Sequence, residues 1–148
     1  MLRVPPPIWA FAYVLIAVGL SACVGWRKPP ELPVAPLGIA LVVIGVALAV
    51  SAAALFRRIG ATLHPDATEH RALVTWGPFR FSRNPMYLSL VVVTLGIATW
   101  IGAWPMFLAP IAVFATANWV HIPFEEMNMR REFGAEFAAY AGRVRRWI

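Results

Sequence analysis

The longest stretch without a charged residue runs from Pro85 to Phe124 and contains no Asp, Glu, Lys or Arg. As a single α-helix, these forty residues would be roughly 60 Å long, about twice the hydrocarbon thickness of a bilayer. A segment of this length in a membrane has to fold back on itself. We expect the turn at Gly102-Ala103-Trp104-Pro105, because glycine and proline interrupt helices. The stretch therefore predicts two transmembrane helices that form a hairpin.

Two further uncharged runs, Ile8 to Trp26 and Val34 to Phe56, are each long enough for one crossing. The 148-residue chain is 60% apolar and only 14% charged, whereas soluble domains average about half and a quarter. This composition excludes a soluble domain and a disordered chain. The first run is interpreted as a retained helix and not as a cleaved signal peptide, because Pro5-Pro6-Pro7 precedes it. The sequence predicts an all-α polytopic membrane protein with four transmembrane helices.

The tail after the last apolar run has a helical pattern of its own. Its apolar residues recur at steps of three or four: Met129, Phe133, Phe137, Tyr140 and Val144. That spacing predicts a C-terminal amphipathic helix.

Basic residues are distributed unevenly between the two sides that four crossings define. Eleven lie on the side of both termini: Arg3, Arg57, Arg58, Arg71, Arg80, Arg83, Arg130, Arg131, Arg143, Arg145 and Arg146. Only Arg27 and Lys28 lie on the opposite side. The positive-inside rule then predicts that both termini are cytoplasmic, and we expect a bacterial inner-membrane protein. The net charge of +6 is assigned to loops beside anionic membrane lipid and not to nucleic-acid binding.

The two flanks of the long apolar stretch carry the residues best suited to bind a ligand. Arg83-Asn84 directly precedes Pro85, and Glu125-Glu126 directly follows Phe124. Because the two ends of a hairpin meet, these flanks should lie together at its open end, which we call the hairpin mouth. Anion-binding and cation-binding groups at one place suit a zwitterionic ligand. The alternatives are that Arg80 and Arg83 only bind lipid phosphate and that the acidic pair is solvated at a helix start. Asn84 is also expected to act as the N-cap of the following helix.

Other chemistries have little support in the sequence. A metal site is not expected, because the three histidines (His64, His70 and His121) lack ligand spacing and Cys23 is the only cysteine. Nucleotide-binding and serine-hydrolase motifs are absent from the sequence. Asn118, within the last apolar run, is expected to hydrogen-bond a neighbouring helix.

The segment from Gly77 to Tyr87, GPFRFSRNPMY, resembles the GPYRxxRHPxY signature of integral membrane methyltransferases. That family includes isoprenylcysteine carboxyl methyltransferase and the phospholipid N-methyltransferases. The second half of its signature is similar to Glu125-Glu126 followed by FGAEFAAY at 133–140 and VRRW at 144–147. The resemblance covers residues 55–148, while the first 50 residues match only as two helices.

The resemblance implies S-adenosyl-L-methionine as methyl donor, bound on the cytoplasmic side between the hairpin and the C-terminal segment. A lipid or isoprenoid-like acceptor would enter from the bilayer. The implied cofactor-binding residues are Leu73, Val74, Gly77, Arg83, Asn84, Tyr87, Glu125 and Glu126. Arg83 and Asn84 are the catalytic candidates, but Asn84 replaces the family's frequent histidine and cannot carry charge near neutral pH. Its expected role is therefore cofactor binding and not proton transfer.

We accordingly expect a single domain spanning residues 1–148. Residues 1–56 would form two N-terminal helices, and residues 57–148 would form the connector, hairpin and C-terminal helix around the cofactor. Two alternatives stay open: a non-catalytic membrane lipid-binding or assembly protein of the same fold, and a reductase-like relative with a nicotinamide site. The sequence leaves the oligomeric state open, and also whether a carboxylate, an amine or a thiol is methylated.

Overall fold

A computed structural model describes residues 5–26, 34–58 and 73–148, and within these ranges the chain is helical without any strand. Five α-helices are present in these ranges: α1 (Pro6–Val24), α2 (Val34–Arg58), α3 (Pro85–Ile101), α4 (Leu108–Thr116) and α5 (Ile122–Arg143). Tight 3₁₀ turns at Gly77–Arg80 and Trp104–Phe107 precede α3 and α4, and a π-helical turn at Ala117–His121 joins α4 to α5. The predicted all-helical class is confirmed.

Among the described residues, three helical stretches are long and apolar enough to cross a membrane: Pro6–Val24, Ala35–Leu55 and the continuous run Trp104–Arg143. The remaining predicted crossing, the third along the chain, corresponds to α3, which is apolar but shorter at 17 residues. Several of the charges and histidines used above lie outside the described residues: Arg3, Arg27, Lys28, Arg71, His64 and His70.

The hairpin turns at the expected place. α3 ends at Gly102, whose left-handed φ of 71° lets its backbone N–H donate to the Ala98 carbonyl. Glycine adopts this conformation without the steric cost that a Cβ brings, which makes it a common helix terminator. Trp104 and Pro105 then begin the 3₁₀ turn that leads into α4, and α3 packs against α4.

Helices α2 and α3 approach so closely that glycine is required at their contact. A Cβ on Gly96 of α3 would lie 2.7 Å from the Val42 backbone nitrogen and 2.8 Å from the Gly38 carbonyl oxygen. Small residues allow such approaches between membrane helices. The pair α2–α3 therefore forms one rigid side of the molecule, while α1 packs on α4 and the 104–107 turn.

We expect Gly96→Ala to lower the stability of the protein by about 1–3 kcal/mol, because the new methyl group meets backbone atoms that cannot rotate away. Thermal unfolding in detergent checks this. Gly19→Ala in α1 is the matched control, since a Cβ there meets nothing within 4 Å. Equal melting temperatures for the two variants would contradict the close approach.

Helix α5 bends at Gly134, whose φ of 47° and ψ of −116° are not helical. Beyond the bend, Phe137 and Tyr140 are buried, whereas Met129 and Phe133 before it are half-buried. Val144 lies past the helix end in extended backbone. The spacing that predicted a continuous amphipathic helix therefore corresponds to two helical pieces, and the second returns the chain toward the start of α3.

Candidate functional site

The segment before α3 is fixed between α2 and α5. Val74 and Phe79 are buried against Ala52 and Leu55 of α2. From the other side, the Tyr140 hydroxyl donates a 2.7 Å hydrogen bond to the Phe79 carbonyl oxygen. These contacts hold the start of α3 in a defined position relative to the end of α5.

Glu126 is the centre of an ion-pair network that spans the hairpin mouth. The Arg146 guanidinium donates from Nε to Oε1 at 3.1 Å and from Nη2 to Oε2 at 2.8 Å. Nη2 of Arg83 lies 3.3 Å from Oε1 of the same carboxylate. Glu126 is only 9% exposed, so these two guanidinium groups compensate a carboxylate that water hardly reaches. The carboxylate thus ties the start of α3 to the C-terminal tail.

Asn84 occupies the N-cap position of α3, but its side chain makes no capping hydrogen bond, so that expectation was wrong. Instead, its Nδ2 donates to the Arg146 carbonyl oxygen at 3.0 Å. The Ser82 hydroxyl donates to the same oxygen at 3.3 Å, and the Arg83 backbone N–H donates to the Arg145 carbonyl at 3.0 Å. The amide is used to hold the tail because the backbone there presents carbonyl groups that need donors.

The tail is held again at Trp147. Its indole Nε1 donates to Oδ1 of Asn118 at 3.0 Å, and its ring lies 4.7 Å from the Phe114 ring, centre to centre. Asn118 was expected to bond a neighbouring helix, whereas the structure pairs it with the tail. Residues 145–147 therefore form a strap across the mouth of the hairpin.

Tyr87 lies one turn into α3 and joins the second glutamate to the same region. Its hydroxyl donates to Oε1 of Glu125 at 2.5 Å, and the tyrosine is 4% exposed. The two adjacent glutamates consequently differ in their surroundings. Glu126 is bound by two guanidinium groups, whereas Glu125 accepts a hydrogen bond from a neutral phenol.

Arg83 keeps hydrogen-bonding capacity that the network does not use. Its Nε and Nη1 are buried and have no hydrogen-bond partner among the described residues. A planar guanidinium with two such nitrogens matches a carboxylate or phosphate oxygen pair. An anion-binding group and a cation-binding group therefore occur at one mouth, which fits a zwitterionic ligand.

The structure brings five of the expected site residues together: Arg83, Asn84, Tyr87, Glu125 and Glu126. Val74 packs in the apolar cluster on α2, Leu73 is half-buried beside it, and Gly77 begins the 3₁₀ turn with a φ of 61°. Arg146 was present in the VRRW motif but had no assigned role. The hydrogen bond with Glu126 raises the pKa of Arg146 further above its already high ordinary value, so the group stays charged.

Two aromatic neighbours of Tyr87 were not expected at the site. The Trp9 ring of α1 stacks near the Tyr87 ring, and the His121 ring of the π-helical turn lies beside it at a tilt of 34°. Trp9 lies within an apolar run and gives no periodic signal, and His121 was considered as a metal ligand, a role for which the histidines lack the spacing. In the described part of the chain, no group of three or more His, Cys, Asp or Glu side chains is arranged to hold a metal ion.

Comparison with known proteins bears on the whole of this region. A family model described as phospholipid methyltransferase matches residues 34–136, which is well over half of the chain. An uncharacterized protein of Haemophilus influenzae is 35% identical over 63 residues, which are 43% of this chain and 100% of that protein. The family match begins at α2, so α1 and the strap lie outside it. This match, which includes the helical hairpin and both glutamates, shows that the chain belongs to the phospholipid methyltransferase family.

Proposed function

We propose that the protein is an S-adenosylmethionine-dependent methyltransferase that methylates a lipid-soluble acceptor at the cytoplasmic face of the membrane. Family membership supports methyl transfer in general terms. The observation that carries the specific proposal is the pairing, at one hairpin mouth, of the unused Arg83 N–H groups with the Glu125 carboxylate. The amino acid end of this cofactor is a zwitterion and needs such a pair.

The residues present fit this cofactor. Arg83 would hold its carboxylate through Nε and Nη1, and Glu125 would hold its ammonium group. When bound, the cofactor supplies an electrophilic methyl group carried on a sulfonium. Tyr87 keeps the Glu125 carboxylate in a fixed orientation through its hydroxyl, and its aromatic face suits a neighbouring positive charge. Backbone between Leu73 and Gly77 would border the adenosine.

Glu126 has a positioning role in this scheme. Both of its oxygens contact guanidinium groups of the protein, so this carboxylate is not proposed to bind the ligand. It fixes Nη2 of Arg83 and thereby leaves the other two nitrogens of that side chain for an anion. The sequence-based expectation was that both glutamates contact the cofactor, and we propose direct contact for Glu125 alone.

Asn84 is proposed to position the strap. Its amide holds the Arg146 carbonyl, and the strap in turn excludes water from the mouth of the hairpin. A proton-transfer role is not assigned to Asn84, because an amide neither gains nor loses a proton near neutral pH. Arg83 is the remaining candidate for direct contact with the reacting groups.

The acceptor is proposed to enter from lipid. Large apolar side chains cover the outer faces of α1 and α2 and are exposed in the protein: Phe11, Leu15, Ile16, Val43 and Val50. A bilayer would solvate these faces. The eleven-to-two distribution of basic residues supports a site on the cytoplasmic side of a bacterial inner membrane, with both termini there.

The test is to incubate purified protein with methyl-labelled S-adenosylmethionine and a bacterial lipid extract, and then to separate the lipids. We expect label in one lipid-soluble species, with transfer reduced at least about tenfold by Glu125→Gln, since a charge-assisted contact is lost. Glu136→Gln, an exposed glutamate on α5, is the control. Cofactor binding without labelled product would favour the non-catalytic lipid-binding alternative.

A further inference from the structure

A second cluster lies beside the ion-pair network, and two of its three members, Trp9 and His121, have no role in the scheme above. It consists of Trp9 from α1, Tyr87 from α3 and His121 from the π-helical turn. The Trp9 and His121 rings are 5.1 Å apart, centre to centre, and nearly parallel at 13°. Tyr87 lies 6.4 Å from Trp9 and 6.0 Å from His121. Three separate elements thus converge on one aromatic cluster.

Two nitrogens of this aromatic cluster have unmet hydrogen-bonding capacity. Trp9 is 8% exposed and His121 is 4% exposed, yet neither Nε1 of Trp9 nor Nε2 of His121 has a partner among the described residues. Leaving a buried polar group without a hydrogen bond destabilises a protein, and buried polar groups in proteins almost always have partners. Phenylalanine would fill either position without this cost. The nitrogens therefore point to a polar group that arrives from outside the chain.

The position of the aromatic cluster connects it to the proposed cofactor site. Tyr87 contacts both rings and also donates to Glu125, so the two regions share a wall. His121 ends a π-helical turn, a rare geometry that is frequent at functional sites. Trp9 lies on α1, outside the residues that the family model matches.

We propose that Trp9 Nε1 and His121 Nε2 bind the head group of the methyl acceptor, a proposal that rests on the proposed function. Because the ring centres are only 5.1 Å apart, one small head group can reach both nitrogens. An indole N–H is only a donor, so the ligand must carry a lone pair. A neutral imidazole can accept at Nε2, so the same ligand can donate its own X–H there.

The hydrogen-bonding needs of the aromatic cluster favour a protic head group over a carboxylate. Tyr87 places the Glu125 side chain beside the cluster. A carboxylate has no proton to donate to Nε2 of His121. The acceptor class is therefore an uncharged protic group: a hydroxyl, a thiol or an amine in its neutral form.

The test uses the full chain in detergent, with ¹⁵N-labelled tryptophan indoles observed by NMR and the Trp9 signal identified by its loss in Trp9→Phe. The probes are 1-octanol and sodium octanoate, which share a chain and differ in the head group. We expect octanol to shift the Trp9 indole signal saturably and octanoate to leave it unchanged. In His121→Phe, which keeps an aromatic ring, the affinity for octanol should fall about tenfold, as for one lost hydrogen bond.

A saturable shift with octanoate equal to that with octanol would overturn the assigned head-group class. No saturable shift with either probe would mean that ordered water alone satisfies the two nitrogens, and the subsite would be rejected. Titration of the same samples with S-adenosylhomocysteine distinguishes a failure of the acceptor subsite from a failure of the proposed cofactor site. If that compound binds and octanol does not, only the acceptor subsite is wrong, whereas the reverse result removes the cofactor proposal and leaves the subsite.

Discussion

Arg83→Leu is expected to weaken binding of S-adenosylhomocysteine by roughly 100-fold or more, because the variant loses the guanidinium proposed to hold the carboxylate. Truncating one partner of a buried charge-assisted pair costs about 2–5 kcal/mol. Nε and Nη1 of Arg83 are buried and have no protein partner among the described residues. The variant also loses the Nη2 contact with Glu126, but that carboxylate keeps both hydrogen bonds from Arg146, so the ligand should be affected more than the fold. Isothermal titration of detergent-solubilised protein measures the change.

Arg131→Leu is the matched control, since this arginine is exposed on α5. It removes the same charge from an exposed position outside the ion-pair network. If the two variants lost affinity equally, the effect would be a general consequence of charge, and Arg83 would have no specific contact with the ligand.

Glu126→Ala is expected to lower stability by about 3–5 kcal/mol, the range for removing one partner of a buried ion pair. The variant leaves two guanidinium groups facing each other, with Arg83 and Arg146 side chains 14% and 34% exposed. The strap should also detach, because the two hydrogen bonds from Arg146 to Glu126 are lost. Thermal unfolding and protease cleavage after Arg143 report the two effects separately.

Adding Arg146→Ala to Glu126→Ala should recover part of this loss, because it removes one of the two uncompensated charges. Two variants that behave as independent sites would add their effects. Simple additivity of the two destabilisations would therefore contradict the network, as would a Glu136→Ala control that melts as low as Glu126→Ala.

Much of the fold follows from the apolar runs alone. Pro85 to Phe124 is too long for one crossing, and glycine is the residue that can end α3 at a left-handed φ, so the turn at Gly102 was predictable. The bend at Gly134 was not, since an isolated glycine in a helical pattern is often simply tolerated. The π-helical turn at Ala117–His121 has no sequence signal that distinguishes it from ordinary helix.

The sequence could predict which segments meet at the site, because the topology of the hairpin determines that. It could not predict which side chains pair within the site. Folding the hairpin necessarily brings Arg83 toward Glu126. Which acid the arginine meets, and that Arg146 occupies both oxygens of that acid, depends on the path of the tail after Gly134. Trp9 reaches the site only because α1 packs on α4, a contact between residues about a hundred positions apart, as in the 2.8 Å hydrogen bond between Tyr13 and Thr116.

The central claim is that one cavity holds a zwitterion with its anionic end at Arg83 and its cationic end at Glu125. Titration with S-adenosylhomocysteine and with 5′-methylthioadenosine, which lacks the amino acid end, tests it directly. The wild-type protein should bind the first compound at least about 100-fold more tightly, and Arg83→Leu and Glu125→Gln should each remove most of that preference. An undiminished preference in both variants would show that the amino acid end is bound elsewhere, and the assignment of this site would be wrong.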